Sequence, residues 1–181
     1  MLQLLRKYRT VLKFILIFLG TYVILSSVYS WYLSSFSSEI YYPDYVTHLV
    51  ARQSQALISS MGYDVVINPA MGFPSMDLRI NGRFVARIIE GCNSISIIIL
   101  FISFMLAFFG KVKSTLIYLF SGAVLIYAIN LVRIAVLSVG IYEIPRYGHF
   151  FHEVIFPLII YGTVFILWLL WIRIYSKQMR Q

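Results

Sequence analysis

Apolar and polar positions divide this chain into four long apolar runs and one long polar stretch. Val11 to Tyr29 is almost entirely apolar apart from Lys13; Asn93 to Phe109, Ser114 to Val139 and Glu153 to Trp171 follow. A helix needs about 20 predominantly apolar residues to cross a bilayer, so the pattern predicts four spans, over about 11–29, 93–109, 114–139 and 153–171. Gly110-Lys111-Val112-Lys113 reads as a short basic turn between the second and third spans. Gly140 to His152, with Pro145 and Gly148, reads as a loop between the third and fourth. Pro157 falls near the first turn of the fourth span, where proline is best tolerated.

The polar stretch, Trp31 to Glu90, has its own pattern. Trp31, Tyr32, Tyr41, Tyr42 and Tyr45 suit an interfacial aromatic belt. Between Asp44 and Met61, the positions Val46, Leu49, Val50, Gln53, Leu57 and Ile58 fall near helical spacing, and Pro43 suits a helix start. Tyr63 to Ile67 and Asp77 to Ile89 read as strands, the second folded into a hairpin at Asn81-Gly82. Asn68-Pro69 and Phe73-Pro74 punctuate the connection. The expected fold is an α-helical integral membrane protein: one domain, residues 1–181, of about four transmembrane helices. A small α/β insertion, 31–90, lies between spans 1 and 2.

Composition agrees. Of 181 residues, 60% are hydrophobic and only 12% charged, against about 25% charged in soluble domains. The net charge of +8 matters through its distribution. Arg6, Lys7, Arg9 and Lys13, the Lys111/Lys113 turn, and Arg173, Lys177 and Arg180 hold nine of the 15 Lys and Arg, in short segments without an acidic residue. Positive charge favours the cytoplasmic side, so both termini are expected there and the 31–90 segment outside. The charge thus reports topology, and no nucleic-acid partner is expected. The first span is expected to be an uncleaved signal anchor: its apolar run exceeds the 7–15 residues of a signal-peptide core, and Val28-Tyr29-Ser30 matches a cleavage site poorly. A single cysteine, no zinc-type Cys/His spacing, no Gly-rich phosphate loop and no internal repeat give no metal or cofactor to expect.

Candidate chemistry gathers at Glu90-Gly91-Cys92-Asn93-Ser94, where the polar stretch ends and the second span begins. A thiol at a helix N-terminus feels the positive end of the helix dipole, which favours the thiolate. In the expected topology, Arg133 in the last turns of span three and His152 at the start of span four reach the same face. Asn130 and Arg133, three apart, share a helix face. Thiolate nucleophile, imidazole proton carrier and guanidinium oxyanion donor together make an acyl-transfer site. Each residue also has an ordinary reading: a buried small hydrophobe or acylation site for Cys92, a snorkelling cation for Arg133, an interfacial imidazole for His152. His149 is an equally good histidine by spacing. Arg79, Arg83 and Arg87 read as the outward face of a strand rather than a nucleic-acid site, a face that could meet a peptide carboxylate or lipid headgroups.

These motifs, with Asn130-Leu131-Val132-Arg133 and Phe151-His152-Glu153, resemble the exosortase/archaeosortase family, most of all its exosortase F-like group. The match covers roughly Glu90 to Glu153. The resemblance implies a multi-pass cysteine protease/transpeptidase of the bacterial inner membrane. Its partners would be the C-terminal transmembrane sorting signal of exported proteins, membrane lipids and an envelope acceptor. It implies Cys92 as nucleophile, Arg133 as oxyanion or substrate stabiliser and His152 as proton carrier. Glu90 or Glu153 would orient His152 or meet substrate, and the β cap from Tyr63 to Ile89 would hold the recognition motif. The chain departs from the pattern in two ways: Asn93-Ser94 follow the cysteine where many members have a small residue and then glycine, and many members are about twice as long. A non-catalytic membrane scaffold subunit of a secretion or surface-assembly complex is the alternative, with Arg133 and His152 as interhelical glue.

Overall fold

The computed structural model of the chain describes residues 8–35 and 41–178, apart from the side chains of His149, Phe151, His152, Lys177 and Gln178. The expectations placed on Arg6, Lys7 and Arg180, and on the His149, His152 and Lys177 side chains, lie outside the described residues. The fold is mostly helical. Helix α1 (Arg9–Ser35) leads to α2 (Tyr45–Ser60) and to strands β1 (Val65–Pro69), β2 (Ser75–Ile80) and β3 (Arg83–Ile89). Then come α3 (Ile95–Ala107), α4 (Val112–Glu143) and α5 (Phe156–Gln178).

Three helices, Arg9–Ser35, Val112–Glu143 and Glu153–Ser176, are long and apolar enough to cross a membrane, with mean hydropathies of 2.2, 2.2 and 2.3. Their outer faces are apolar too: Leu16 on α1, Phe120 on α4 and Leu158 on α5 are each about 70% exposed. The run expected to span over 93–109 is shorter as a helix. At about 1.5 Å per residue, the 13 residues of α3 rise about 20 Å, against about 30 Å of hydrocarbon. Its start is used by the turns around Cys92 and Ser94, and Phe108 leaves helical geometry at its end. The expected loop from Gly140 to His152 is also largely wound. α4 continues to Glu143, and a 3-10 turn (Pro145–Tyr147), one helical turn (Gly148–Phe150) and a π turn (Phe151–Ile155) lead into α5. Pro157 explains the π turn: it lacks the N–H that would bond the Glu153 carbonyl and its ring crowds that carbonyl, so the preceding turn widens.

The segment between α1 and α3 forms a cap on one end of α4. Asp44 starts α2, its Oδ1 accepting from the N–H groups of Val46 and Thr47 at 3.0 and 3.1 Å. Thr47, Val50, Ala51, Ser54 and Ile58 then form the buried face of α2 at helical spacing. The sheet is antiparallel in the order β1-β2-β3. Asn81 and Gly82, with φ of 49° and 77°, supply the left-handed pair of a two-residue hairpin turn. Met76, Leu78 and Ile80 point inward from β2 and meet Val50, Ala51 and Ile58 of α2 and Ile134 and Ala135 of α4 in one core.

The ladder is irregular at Leu78/Arg79, with one extra residue, Val85, on β3. Arg87 consequently faces Asp77 while Arg83 faces Ile80. Asp77 and Ile80 point to opposite sides of β2, so Arg83 and Arg87 do too. The three arginines therefore do not mark one face, as their spacing suggested. Arg87 is held by Asp77 at 2.8 Å and lies over the rings of Phe73 and Phe84.

A second core fills the other end of the bundle: Phe101 and Met105 of α3, Ile126 of α4, and Ile160, Val164, Leu167 and Trp171 of α5. Its polar edges bridge helices. The Trp171 indole donates to the Phe108 carbonyl at 3.0 Å, and the Tyr118 hydroxyl donates to the Leu167 carbonyl at 2.8 Å. Gly122 lets Phe101 lie against α4; a Cβ there would sit 2.4 Å from Cζ of that ring.

Candidate functional site

Cys92 ends the 3-10 turn Glu90–Cys92 that carries β3 toward α3. It is half-buried and carries no disulfide. The thiol does not sit at the helix N-terminus expected for it. α3 starts at Ile95 with Ser94 as its N-cap, leaving Cys92 outside the first turn. The cause is Asn93, whose Oδ1 accepts from the Ile95 N–H at 3.0 Å. Ser94 then takes φ 65°, a left-handed conformation that costs an L-residue about 1–2 kcal/mol. Its hydroxyl donates to the Asn93 carbonyl at 2.6 Å.

Asn93 is also the joint of the cap. It is 1% exposed, and its Nδ2 donates to the Tyr29 hydroxyl of α1 at 2.6 Å and to Thr47 Oγ1 of α2 at 3.0 Å. One buried amide thereby ties three elements to the turn that presents the thiol. The motif around Cys92 contained Asn93, but nothing local in the sequence marks it as a three-way joint, because both partners are more than 40 residues away.

Two of the expected partners come to Cys92 from α4. Asn130 is fully buried, and its Nδ2 donates to the Cys92 carbonyl at 2.8 Å. Its Oδ1 is buried without a hydrogen-bond partner. Arg133 is 4% exposed. Its guanidinium lies 3.1 Å from the centre of the Phe156 ring, a cation–π contact worth about 2 kcal/mol when desolvated. Its Nε is buried and unpaired, and the guanidinium is within electrostatic reach of Cys92 and Tyr161. Phe156, an aromatic in an apolar run, gave no signal of this role.

The two acidic candidates are placed differently. Glu90 is within electrostatic reach of Asp44, the N-cap of α2. Partial burial, and then the Asp44 charge, push its carboxyl above the ordinary value of 4.5. It lines a small hollow with Phe73, Pro74, Ser75 and Arg87, separate from the one beside Cys92. Glu153 is exposed in the π turn before α5. That turn also carries the backbone of His152; the imidazoles of His152 and His149 lie outside the described side chains.

Beside Cys92 opens a cavity of about 430 Å³, walled by Phe84 to Ile88 of β3, by Ile134, Leu137, Ser138 and Ile141 of α4, and by Phe156. Its walls are mostly apolar, with Cys92, Ser138 and Arg87 as the polar lining residues. A cavity of this size is in the range that holds a small ligand or a few residues of peptide. Among the described residues, no group of three or more His, Cys, Asp or Glu is arranged to hold a metal. The chain matches no family model, no curated protein and no solved structure.

Proposed function

We propose that the chain is an exosortase-like cysteine peptidase/transpeptidase of the bacterial inner membrane. The observation that carries this reading is the meeting of the Cys92 turn with Asn130 and Arg133 of α4, beside a cavity with mostly apolar walls. In the proposed topology both termini are cytoplasmic, α3 serves as a short fourth membrane helix, and the α2/β1–β3 cap stands on the extracytoplasmic face. The basic ends and the basic Lys111/Lys113 turn support that orientation. Ser94 supports the family reading. It takes a left-handed conformation at the position where the resembled motif has glycine, the residue to which that conformation costs nothing.

In this reading the Cys92 thiolate attacks the scissile carbonyl of a C-terminal sorting signal, forming a thioester and expelling the amine of the membrane-anchored remnant. Arg133 donates to the developing oxyanion from a dry site, where a fixed donor is worth several kcal/mol. A histidine, His152 or His149, delivers the proton to the leaving amine. Water or an acceptor amine then takes the acyl group from sulfur.

The test is Cys92→Ala in cells that make the full chain, followed by mass spectrometry of envelope-protein C-termini. Loss of processing on the order of 10³-fold or more, with normal membrane accumulation, is expected. A second reading, a non-catalytic membrane scaffold, draws on the Asn130 bond to the Cys92 backbone carbonyl, which is a holding contact indifferent to the thiol. Normal processing by Cys92→Ala selects it.

A further inference from the structure

The shape of the cavity beside Cys92 points beyond the thiol. Residues 84–88 of β3 line it in an unbroken run. The register puts Phe84 and Arg87 on the Arg79/Asp77 side of the sheet and Ala86 and Ile88 on the Leu78/Met76 side, so one cavity meets all of them only by following the edge of the strand. Ile134, Leu137, Ser138 and Ile141 form the opposite wall, and their spacing puts them on one face of α4. The cavity is therefore a slot between a strand edge and a helix face, with Cys92 in its wall.

The edge is open for pairing. β3 is last in the order β1-β2-β3, and among the described residues it pairs with β2 alone. Ile80 and Arg83 are partners across the two-residue turn, so the alternation of the ladder turns the N–H and C=O of Phe84 away from β2 and toward the slot. Residues 84–88 contain no proline, the residue that would remove an edge donor.

We propose that the free edge of β3 docks an extended peptide, which joins the sheet as a fourth strand and runs past Cys92. The peptide carries a carboxylate beside apolar residues. A backbone supplies donors and acceptors at strand spacing, which an acyl chain lacks. Of the three arginines on the strands, Arg87 lines the slot and is paired with Asp77; Arg79 and Arg83 leave the sheet a net positive charge, which favours an acidic occupant. A second copy bringing its own sheet to this edge meets α4 across the slot. The proposal rests on the peptidase reading for the identity of the peptide, as the segment ahead of the cleaved bond.

Photo-crosslinking in membranes of cells that make the full chain tests it. A p-benzoylphenylalanine replaces Ile141, on the α4 wall, in a Cys92→Ala background that leaves substrate uncleaved, and adducts are sequenced by mass spectrometry. Expected is an adduct to an acidic and apolar segment of an exported protein, next to its C-terminal membrane helix. Phe84→Pro, which deletes the outward N–H, lowers that adduct about tenfold, while Phe84→Ala, which keeps the N–H, preserves it. Arg83→Glu lowers it severalfold and decides the matter if the proline variant fails to accumulate. Adducts to lipid alone or to a second copy alone, no adduct, or a peptide adduct insensitive to both Phe84→Pro and Arg83→Glu overturns the proposal. A proline-sensitive adduct in cells where Cys92→Ala still processes normally keeps the docking edge and removes the peptidase reading.

Discussion

α4 passes through two regions built on opposite principles. Around Phe101 and Trp171 it is packed: Gly122 admits the Phe101 ring, Phe104 stacks on Trp168 at 4.3 Å, and the Trp171 and Tyr118 side chains each find a backbone carbonyl. One polar atom there, the Trp168 indole nitrogen, is buried without a partner. Around Cys92 the same helix carries a buried amide oxygen and a buried guanidinium nitrogen without partners, next to a cavity. Without a hydrophobic drive between helices in lipid, close packing holds a bundle together, and the Phe101 end supplies it. The Cys92 end keeps unsatisfied polar groups that a fold selected for stability alone would replace. Close packing and unpartnered polar groups are thus divided along one helix.

Arg133→Met gives the sharpest test of that division. Processing is expected to fall about 10²–10³-fold, read by C-terminal mass spectrometry. Thermal stability in detergent should stay level or rise, because an incompletely paired buried charge is replaced by an apolar chain of similar length. Parallel loss of both would make Arg133 a packing residue and dissolve the contrast.

Gly122→Ala probes the opposite end. The new Cβ meets the Phe101 ring at 2.4 Å, and such overpacking costs about 1–3 kcal/mol. The melting temperature should fall, a Phe101→Leu partner change should restore part of it, and maleimide labelling of Cys92 should be unaffected. Altered labelling would show that the two ends are coupled through α4.

Ser94→Gly acts between them. Relief of the left-handed strain is expected to raise stability by about 1 kcal/mol or less, offset by the lost hydroxyl bond to the Asn93 carbonyl. A clear loss of stability would mean that this hydroxyl, rather than the backbone conformation, holds the turn.

The smallest effect is a pH dependence. Glu90 has its carboxyl raised above 4.5 in the folded state, by burial first and by Asp44 second. The folded chain therefore binds this proton more tightly than the unfolded chain, and stability falls as pH rises from about 4.5 through the raised pKa. Glu90→Gln should flatten that fall in a pH series of thermal melts, leaving the acid end unchanged. An unaltered slope would assign the titration to another group.

Local pattern made much of this fold legible. The spacing predicts a helix from Asp44 to Met61, and α2 runs Tyr45–Ser60, capped by Asp44. The Asn81-Gly82 turn is where the dipeptide put it. Both follow from interactions within a few residues: side-chain periodicity, a capping carboxylate and a left-handed pair. The expected break at Gly140 failed because α4 is held beyond it from a distance. The Tyr63 hydroxyl donates to Glu143, and the Asn81 amide donates to the Tyr142 hydroxyl, each across 60 or more residues. The span expected at 93–109 lost its start because a turn built by Asn93 and Ser94 occupies it.

The candidate site divides in the same way. Residue type and order alone brought out Cys92, Asn130 and Arg133, because a single thiol and a buried cation stand out in an apolar chain. Tertiary structure decided what they do to one another. It put the Asn130 amide on the Cys92 backbone, seated Arg133 on Phe156, and set Glu90 in a hollow separate from the cavity beside Cys92. It also opened a strand edge onto the thiol. Hydropathy and helical period act over a few residues, so a sequence displays them directly. The partner of a buried polar group is chosen by which distant segments pack together, and only the folded chain contains that information.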